Sequence, residues 1–206
     1  MKFDISDKTL ILGYSGSGKT TLLEYLIDYY FVHFPHIVII DSVYRFSKLK
    51  DRFYSGIVEC KKPSKNKICI HVRGEEEYEK VIYALNRYPY PVFLIVDEID
   101  QYISPYSLPF EFGIYSEQGR NWNQGGIFTA RRLGAVHKSI FSNSHYLILF
   151  KIINKMDLQY LNSVLDFDID ELMSDLGEHE FYFVDLHLSN IEGKYVLKGN
   201  RLLKIK

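Results

Sequence analysis

The chain has 206 residues, which predicts one domain with at most a small extension and enough length to bury a proper core. Its 25 basic and 26 acidic side chains nearly cancel, so net charge signals no polyanion partner; contact with nucleic acid would need a local basic surface or a ring of subunits that concentrates one. No stretch approaches the roughly 18 apolar residues of a membrane span, and the start Met1-Lys2-Phe3-Asp4 lacks the features of a secretory leader, which predicts a soluble, intracellular, non-secreted protein.

Thr9-Leu10-Ile11-Leu12 reads as a short buried strand, and Thr21 to Val32 as a helix with Leu22, Leu23, Leu26 and Ile27 on one face. Between them lies Gly13-Tyr14-Ser15-Gly16-Ser17-Gly18-Lys19-Thr20, which fits G-x-x-x-x-G-K-[ST] in the strand-to-helix context that a phosphate-binding loop requires. Glycines let successive backbone N–H groups turn inward around the β- and γ-phosphates of a nucleotide. Lys19 adds a point charge there, and the Thr20 hydroxyl can ligate Mg2+. The predicted nucleotide-binding set is therefore Gly13, Tyr14, Ser15, Gly16, Ser17, Gly18, Lys19, Thr20 and Thr21.

Apolar runs alternate with helical segments to about residue 152, which predicts an α/β fold with a mostly parallel sheet buried on both faces. His36-Ile37-Val38-Ile39-Ile40-Asp41 is a second strand ending in a carboxylate. Gly56 to Arg73 follows, broken by a lysine-rich turn at Lys61, Lys62, Lys65 and Lys67 that is read first as solvated and second as DNA-facing; Cys60 and Cys69 flank it as free thiols able to face each other across a hairpin. Glu75 to Arg87 has helical spacing of Tyr78, Val81, Ile82 and Leu85. Val92-Phe93-Leu94-Ile95-Val96 is the most hydrophobic strand and ends in Asp97-Glu98. Residues 101–125, rich in Tyr, Pro, Gly and Asn, read as a long irregular connection. Ile127-Phe128-Thr129-Ala130 is a further strand, followed at once by Arg131-Arg132, and Tyr146 to Phe150 closes the parallel set. In the tail, Lys155 to Leu165 and Asp170 to Leu176 read as helices, and Phe181 to Leu188 and Tyr195 to Leu203 as a terminal strand pair. No repeat or linker divides the chain, so residues 1–206 are expected to form one domain, with a core over 8–152 and an extension over 153–206.

The pair Asp97-Glu98 carries the chemistry. A carboxylate at the end of that apolar strand can hold Mg2+ together with Thr20, and a second one beside it can orient and deprotonate an attacking water, which a hydrolase needs. Asp41 lies on the same sheet edge and either joins the water network or caps the following turn; Asp100 is expected to be solvated or capping. Arg131 would lie near the γ-phosphate if its strand neighbours the Asp97 strand, whereas Arg132 is read as a surface or interface charge. Arg120, in Gln118-Gly119-Arg120-Asn121, is a candidate for a finger entering a neighbouring site. The seven histidines show no metal-like spacing and are read as ordinary surface or core residues.

The order of these motifs, with Leu94-Ile95-Val96-Asp97-Glu98 followed by Gly119-Arg120 and then Gly126 to Arg132, resembles the FtsK–HerA superfamily of DNA-pumping ATPases. Ile140 to Phe150, a small polar and Asn segment leading into a strand, adds to the likeness, which covers about 8–152. The compact size is similar to the viral branch, the genome-packaging ATPases of internal-membrane icosahedral viruses, and to its archaeal-virus members above all. This resemblance implies a RecA-like P-loop core, ATP and Mg2+ as cofactors, and a hexameric or pentameric ring threaded by double-stranded DNA. It also implies capsid or internal-membrane proteins at a virion vertex as further partners, and a location in the host cytoplasm during assembly or on the virion. Catalysis would rest on Lys19, Glu98, Arg131 and Arg120, with Thr20 and Asp97 at the metal. The family commonly has Gln where this chain has Arg131, so the division of work between Arg120 and Arg131 stays open. A small nucleoside or nucleotide kinase and a non-translocating nucleotide switch are the alternative readings.

Overall fold

The computed structural model describes residues 1–41, 46, 53–55, 66–72, 74–199 and 201–205, with the backbone alone for 32, 53–55 and 66–71. Among the described residues, seven parallel strands form most of the sheet: β1 (Lys8–Leu12), β2 (His36–Ile40), β3 (Phe53–Ser55), β4 (Asn66–His71), β5 (Phe93–Val96), β6 (Gly126–Ala130) and β7 (Tyr146–Phe150). Three antiparallel strands extend it: β8 (Glu180–Asp185), β9 (Asn190–Lys198) and β10 (Arg201–Lys204). Among the described residues the order is β10-β9-β8-β7-β1-β6-β5-β2-β4-β3. The fold is thus α/β with a mostly parallel sheet flanked by helices.

Alternation along each central strand sends side chains to two cores. Leu10, Leu12, Val38, Ile40, Leu94, Val96 and Phe128 face α2 (Glu75–Asn86) and α3 (Phe110–Gln118), which supply Tyr78, Ile82, Phe112 and Tyr115. Ile11, Ile37, Ile39, Phe93, Ile95, Ile127 and Ile148 face the opposite way, toward Leu22, Leu23, Leu26, Ile27 and Phe31. Burial on both faces explains why these strands are near-continuous apolar runs. With both faces covered, the loops at the carboxyl ends of the strands are the open part of the sheet, and the G-x-x-x-x-G-K-T segment leaves β1 there, between β6 and β7.

Several elements differ from the sequence expectations. The helix after the loop begins earlier, as α1 (Lys19–Tyr25), and then widens into a π-helical turn over Leu26–Tyr30, which keeps Leu26, Ile27 and Phe31 all buried. The supposed irregular connection of 101–125 contains α3, started by Pro109, and a 3-10 turn over Gly119–Trp122. Gly113 and the scattered aromatics hide its helical period, whereas packing of Phe112 and Tyr115 under the sheet enforces it. A short helix, α4 (Lys138–Ser142), was not anticipated; the others are α5 (Lys155–Val164) and α6 (Ile169–Asp175). The terminal strand pair is a three-stranded meander, because Gly199 at φ 57° turns the chain between β9 and β10. Asn66 and Lys67 open β4 rather than a turn, and β3 and β4 are parallel, so the strand beside Cys69 is no hairpin arm. Cys60, Lys61, Lys62 and Lys65 lie outside the described residues. No helix of the described residues is long and apolar enough to cross a membrane.

Candidate active site

The loop after β1 is shaped by its backbone. Gly16 and Gly18 have φ of 87° and 105°, a region that residues with a Cβ rarely adopt, and α1 starts at once after Gly18. A side chain at Gly13 would place its Cβ 2.6 Å from that of Phe150, so β7 packs directly beneath the loop. Tyr14 N–H donates to the Lys151 carbonyl at 3.3 Å, which ties the loop to the end of the same strand. Ser17 is buried beneath the loop, while Ser15, Gly16, Thr20 and Thr21 line an open cavity of about 250 Å3 with Lys19.

Lys19 is 6 % exposed and folds back on the loop, donating to the carbonyls of Gly13 at 2.6 Å and Tyr14 at 3.0 Å. Burial pushes its pKa below the ordinary lysine value; the Asp97, Glu98 and Asp100 carboxylates oppose that drop without cancelling it.

Asp97 and Glu98 line the same cavity. Asp97 is buried at the end of β5, where its N–H donates to the Ile40 carbonyl of β2 at 3.2 Å. Thr20 Oγ1 donates to Asp97 Oδ2 at 3.3 Å, across 77 positions of sequence. The other carboxylate oxygen, Oδ1, accepts from the Thr129 hydroxyl at 2.6 Å, and that hydroxyl accepts the Glu98 N–H at 2.8 Å. Thr129, fully buried on β6, therefore positions both acids. Sequence reading missed it; the available signal was a lone hydroxyl inside a buried strand next to the acidic one. Glu98 sits in the left-handed region at φ 55°, uncommon for a residue with a side chain, and its carboxylate accepts a hydrogen bond from Gln101.

β5 and β6 are neighbours, which brings Arg131 to the same edge. Its Nη2 lies 3.3 Å from Asp100 Oδ2, so Asp100 is an ion-pair partner rather than a solvated acid. Arg131 also lines a second cavity of about 370 Å3, with Tyr14, Ser15 and Ile152 to Asn154. Arg132 shares that cavity and reaches the buried Asp157 at 4.0 Å. Asp41, fully buried, accepts the Phe46 N–H at 2.8 Å.

Arg120 is elsewhere. It precedes β6, whose first residue, Gly126, stands opposite Lys8 at the start of β1. That is the amino edge of the sheet, a strand length of roughly 15 Å from the loop's edge. Its electrostatic neighbours are Asp4, Lys8 and His145.

His179 was likewise unanticipated. It stands in the turn between α6 and β8, lines the cavity of Lys19 and Thr20, and donates from Nδ1 to the Ser17 carbonyl at 3.2 Å.

No protein-family profile matches this sequence, and no curated protein does. Solved structures do match. The genome-packaging NTPase B204 of Sulfolobus turreted icosahedral virus 2, in complex with ATP-gammaS, aligns with a TM-score of 0.76 at 19% identity, over 92% of this chain and 97% of that one. VirB4 of Thermoanaerobacter pseudethanolicus aligns with a TM-score of 0.68 at 11% identity, over 99% of this chain and 92% of that one. The pCW3 conjugation coupling protein TcpA, with ATPgS, gives 0.63 at 12% identity, over 89% and 59%. The chain shares the fold of these P-loop proteins.

Proposed function

We propose that this chain is a Mg2+-dependent ATPase of the FtsK–HerA superfamily that translocates double-stranded DNA as a ring and packages a viral genome. The observation that carries this reading is the meeting of the two halves of the site. The phosphate loop and Thr20 stand on one side and Asp97 with Glu98 on the other, joined at 3.3 Å through Thr20 and Asp97. The fold shared with a packaging NTPase, with a conjugation coupling protein and with VirB4 supports it.

The chain's own residues divide the work as follows. Loop amides and Lys19 hold the phosphates; the ammonium exchanges the Gly13 and Tyr14 carbonyls for phosphate oxygens. Thr20 Oγ1 and Asp97 Oδ2 are hard oxygen donors close enough to serve one ion, a set that fits Mg2+. When bound, Mg2+ would neutralise charge on the phosphate oxygens. Glu98 takes the proton of the attacking water, held in place by Thr129 and Gln101. Arg131 serves the γ-phosphate of its own chain. A head-to-tail ring joins two different faces of the subunit, so the carboxyl edge of one chain can meet another face of the next, and Arg120 at the amino edge is the arginine suited to act on a neighbour's nucleotide.

Phosphate release measured with and without linear duplex DNA, over protein concentrations that span assembly, tests the reading. It predicts DNA-stimulated release that rises with assembly and weakens as salt rises. Transfer of labelled phosphate to an added nucleoside monophosphate would establish a kinase instead. Nucleotide binding without DNA-stimulated release would establish a switch.

A further inference from the structure

The strand order gives the cavity over the phosphate loop two unlike sides. Asp97 and Glu98 leave β5, two strands from β1 in one direction, whereas His179 enters β8, two strands from β1 in the other. Between them lie Lys19, Thr20 and Thr21, all lining the same space. A triphosphate held by the loop with its terminal phosphate toward the two carboxylates must leave its nucleoside on the opposite side, where His179 stands.

The imidazole is built into that position. Its Nδ1 is fixed on the Ser17 carbonyl, and a Cβ at Gly18 would come within 3.3 Å of it, so the ring lies against the backbone where the loop turns into α1. About half of the side chain is still exposed. The backbone of His179 adopts the left-handed region at φ 60°, and its turn is clamped from both ends. Gly177 N–H donates to the Glu180 carboxylate at 2.9 Å, and Lys194 on β9 pairs with Glu180 at 2.7 Å and Asp175 at 3.2 Å. An uncommon backbone conformation held by an ion-pair cluster, presenting an anchored but open aromatic ring to a phosphate-loop cavity, is suited to a planar ligand.

We propose that His179 is the nucleoside-contacting residue, its ring stacking on the base of the bound nucleotide, so that the C-terminal extension completes a site begun by the core. The inference rests on the nucleotide-binding reading above. Stacking recognises any base by its face and makes no base-selective hydrogen bond. In this arrangement the meander β8 to β10 is the support of a ligand contact.

Calorimetric binding of ATP and of inorganic tripolyphosphate, a probe with no nucleoside, to the full chain separates the two ideas. His179→Gly removes the ring and tolerates the left-handed backbone; His179→Phe keeps an aromatic face. The expected result is ATP affinity weakened roughly tenfold in His179→Gly, largely retained in His179→Phe, and tripolyphosphate affinity unchanged in both. Unchanged ATP affinity in His179→Gly, or equal losses for ATP and tripolyphosphate, would overturn the proposal. Wild-type chain that binds neither probe, or Lys19→Ala that binds both as the wild type does, would overturn the nucleotide-binding reading itself and the stacking role with it.

Discussion

The Thr129 hydroxyl donates to Oδ1 of Asp97 at 2.6 Å, linking β6 to the acidic end of β5. The Thr129 oxygen in turn accepts the Glu98 N–H, so one hydroxyl sets the direction of the Asp97 carboxylate and the backbone of Glu98.

Replacing Thr129 by the isosteric Val keeps the volume and deletes both bonds. The freed N–H and the lost bond to a buried carboxylate destabilise the fold by about 1–3 kcal/mol. Positioning partners of this kind change rates by roughly 10- to 100-fold, so turnover falls in that range while ATP affinity holds. Thr129→Ser restores the rate. Steady-state kinetics with calorimetric ATP binding checks this, and a Val variant at full rate would remove Thr129 from the site.

Glu98 couples chemistry to backbone strain. Glu98→Gln abolishes phosphate release and retains ATP, because the amide cannot accept the proton of water. Glu98→Gly is equally inactive, yet it costs no stability, since φ 55° suits glycine and offsets the roughly 0.5–1 kcal/mol that glycine otherwise loses in chain entropy. Thermal melts beside single-turnover assays give both readings.

Arg120 stands at the edge of the sheet opposite the loop, so the proposed catalytic role requires it to act in the site of a neighbouring subunit. Arg120→Ala is expected to lower turnover by roughly 10³-fold, the lower range for an arginine acting in trans. Mixing Arg120→Ala with Lys19→Ala, each inactive alone, should recover turnover in the hetero-oligomer, because one chain supplies the loop and the other the arginine. No recovery at any mixing ratio would count against action in trans.

Lys8, 3 % exposed at the start of β1, has its pKa lowered from 10.5 to about 8, first by burial and then by Arg120. Between about pH 8 and 10.5 the unfolded chain binds the extra proton, so stability rises with pH across that window. Below pH 8 the burial cost is fully present, at about 3 kcal/mol. Lys8→Met should therefore be more stable at pH 7 and lose the rise; denaturant titrations from pH 7 to 10.5 follow it.

Motifs made of contiguous residues are legible in the sequence itself. The loop from Gly13 to Thr20 is marked by its glycines between strand and helix, and Asp97-Glu98 by the apolar strand that precedes it; the tertiary structure brings Thr20 and Asp97 together. Phe110–Gln118 reads as irregular in sequence because Gly113 and unevenly spaced aromatics mask a helix that exists through packing on the sheet. The same holds for the division of Tyr195 to Leu203 at Gly199, where a single positive φ decides between one strand and two.

The sequence by itself determined the G-x-x-x-x-G-K-T loop between strand and helix, the acidic pair at the end of β5 and the parallel α/β class, since each depends on neighbours within a few residues. Tertiary structure alone decided that β6 lies between β1 and β5, and with it the role of Thr129, the separation of Arg120 from Arg131 by the height of the sheet, and the arrival of His179 from the tail. Strand order is set by which apolar faces and backbone edges satisfy one another over the whole chain. No local pattern around Thr129, Arg120 or His179 encodes that outcome.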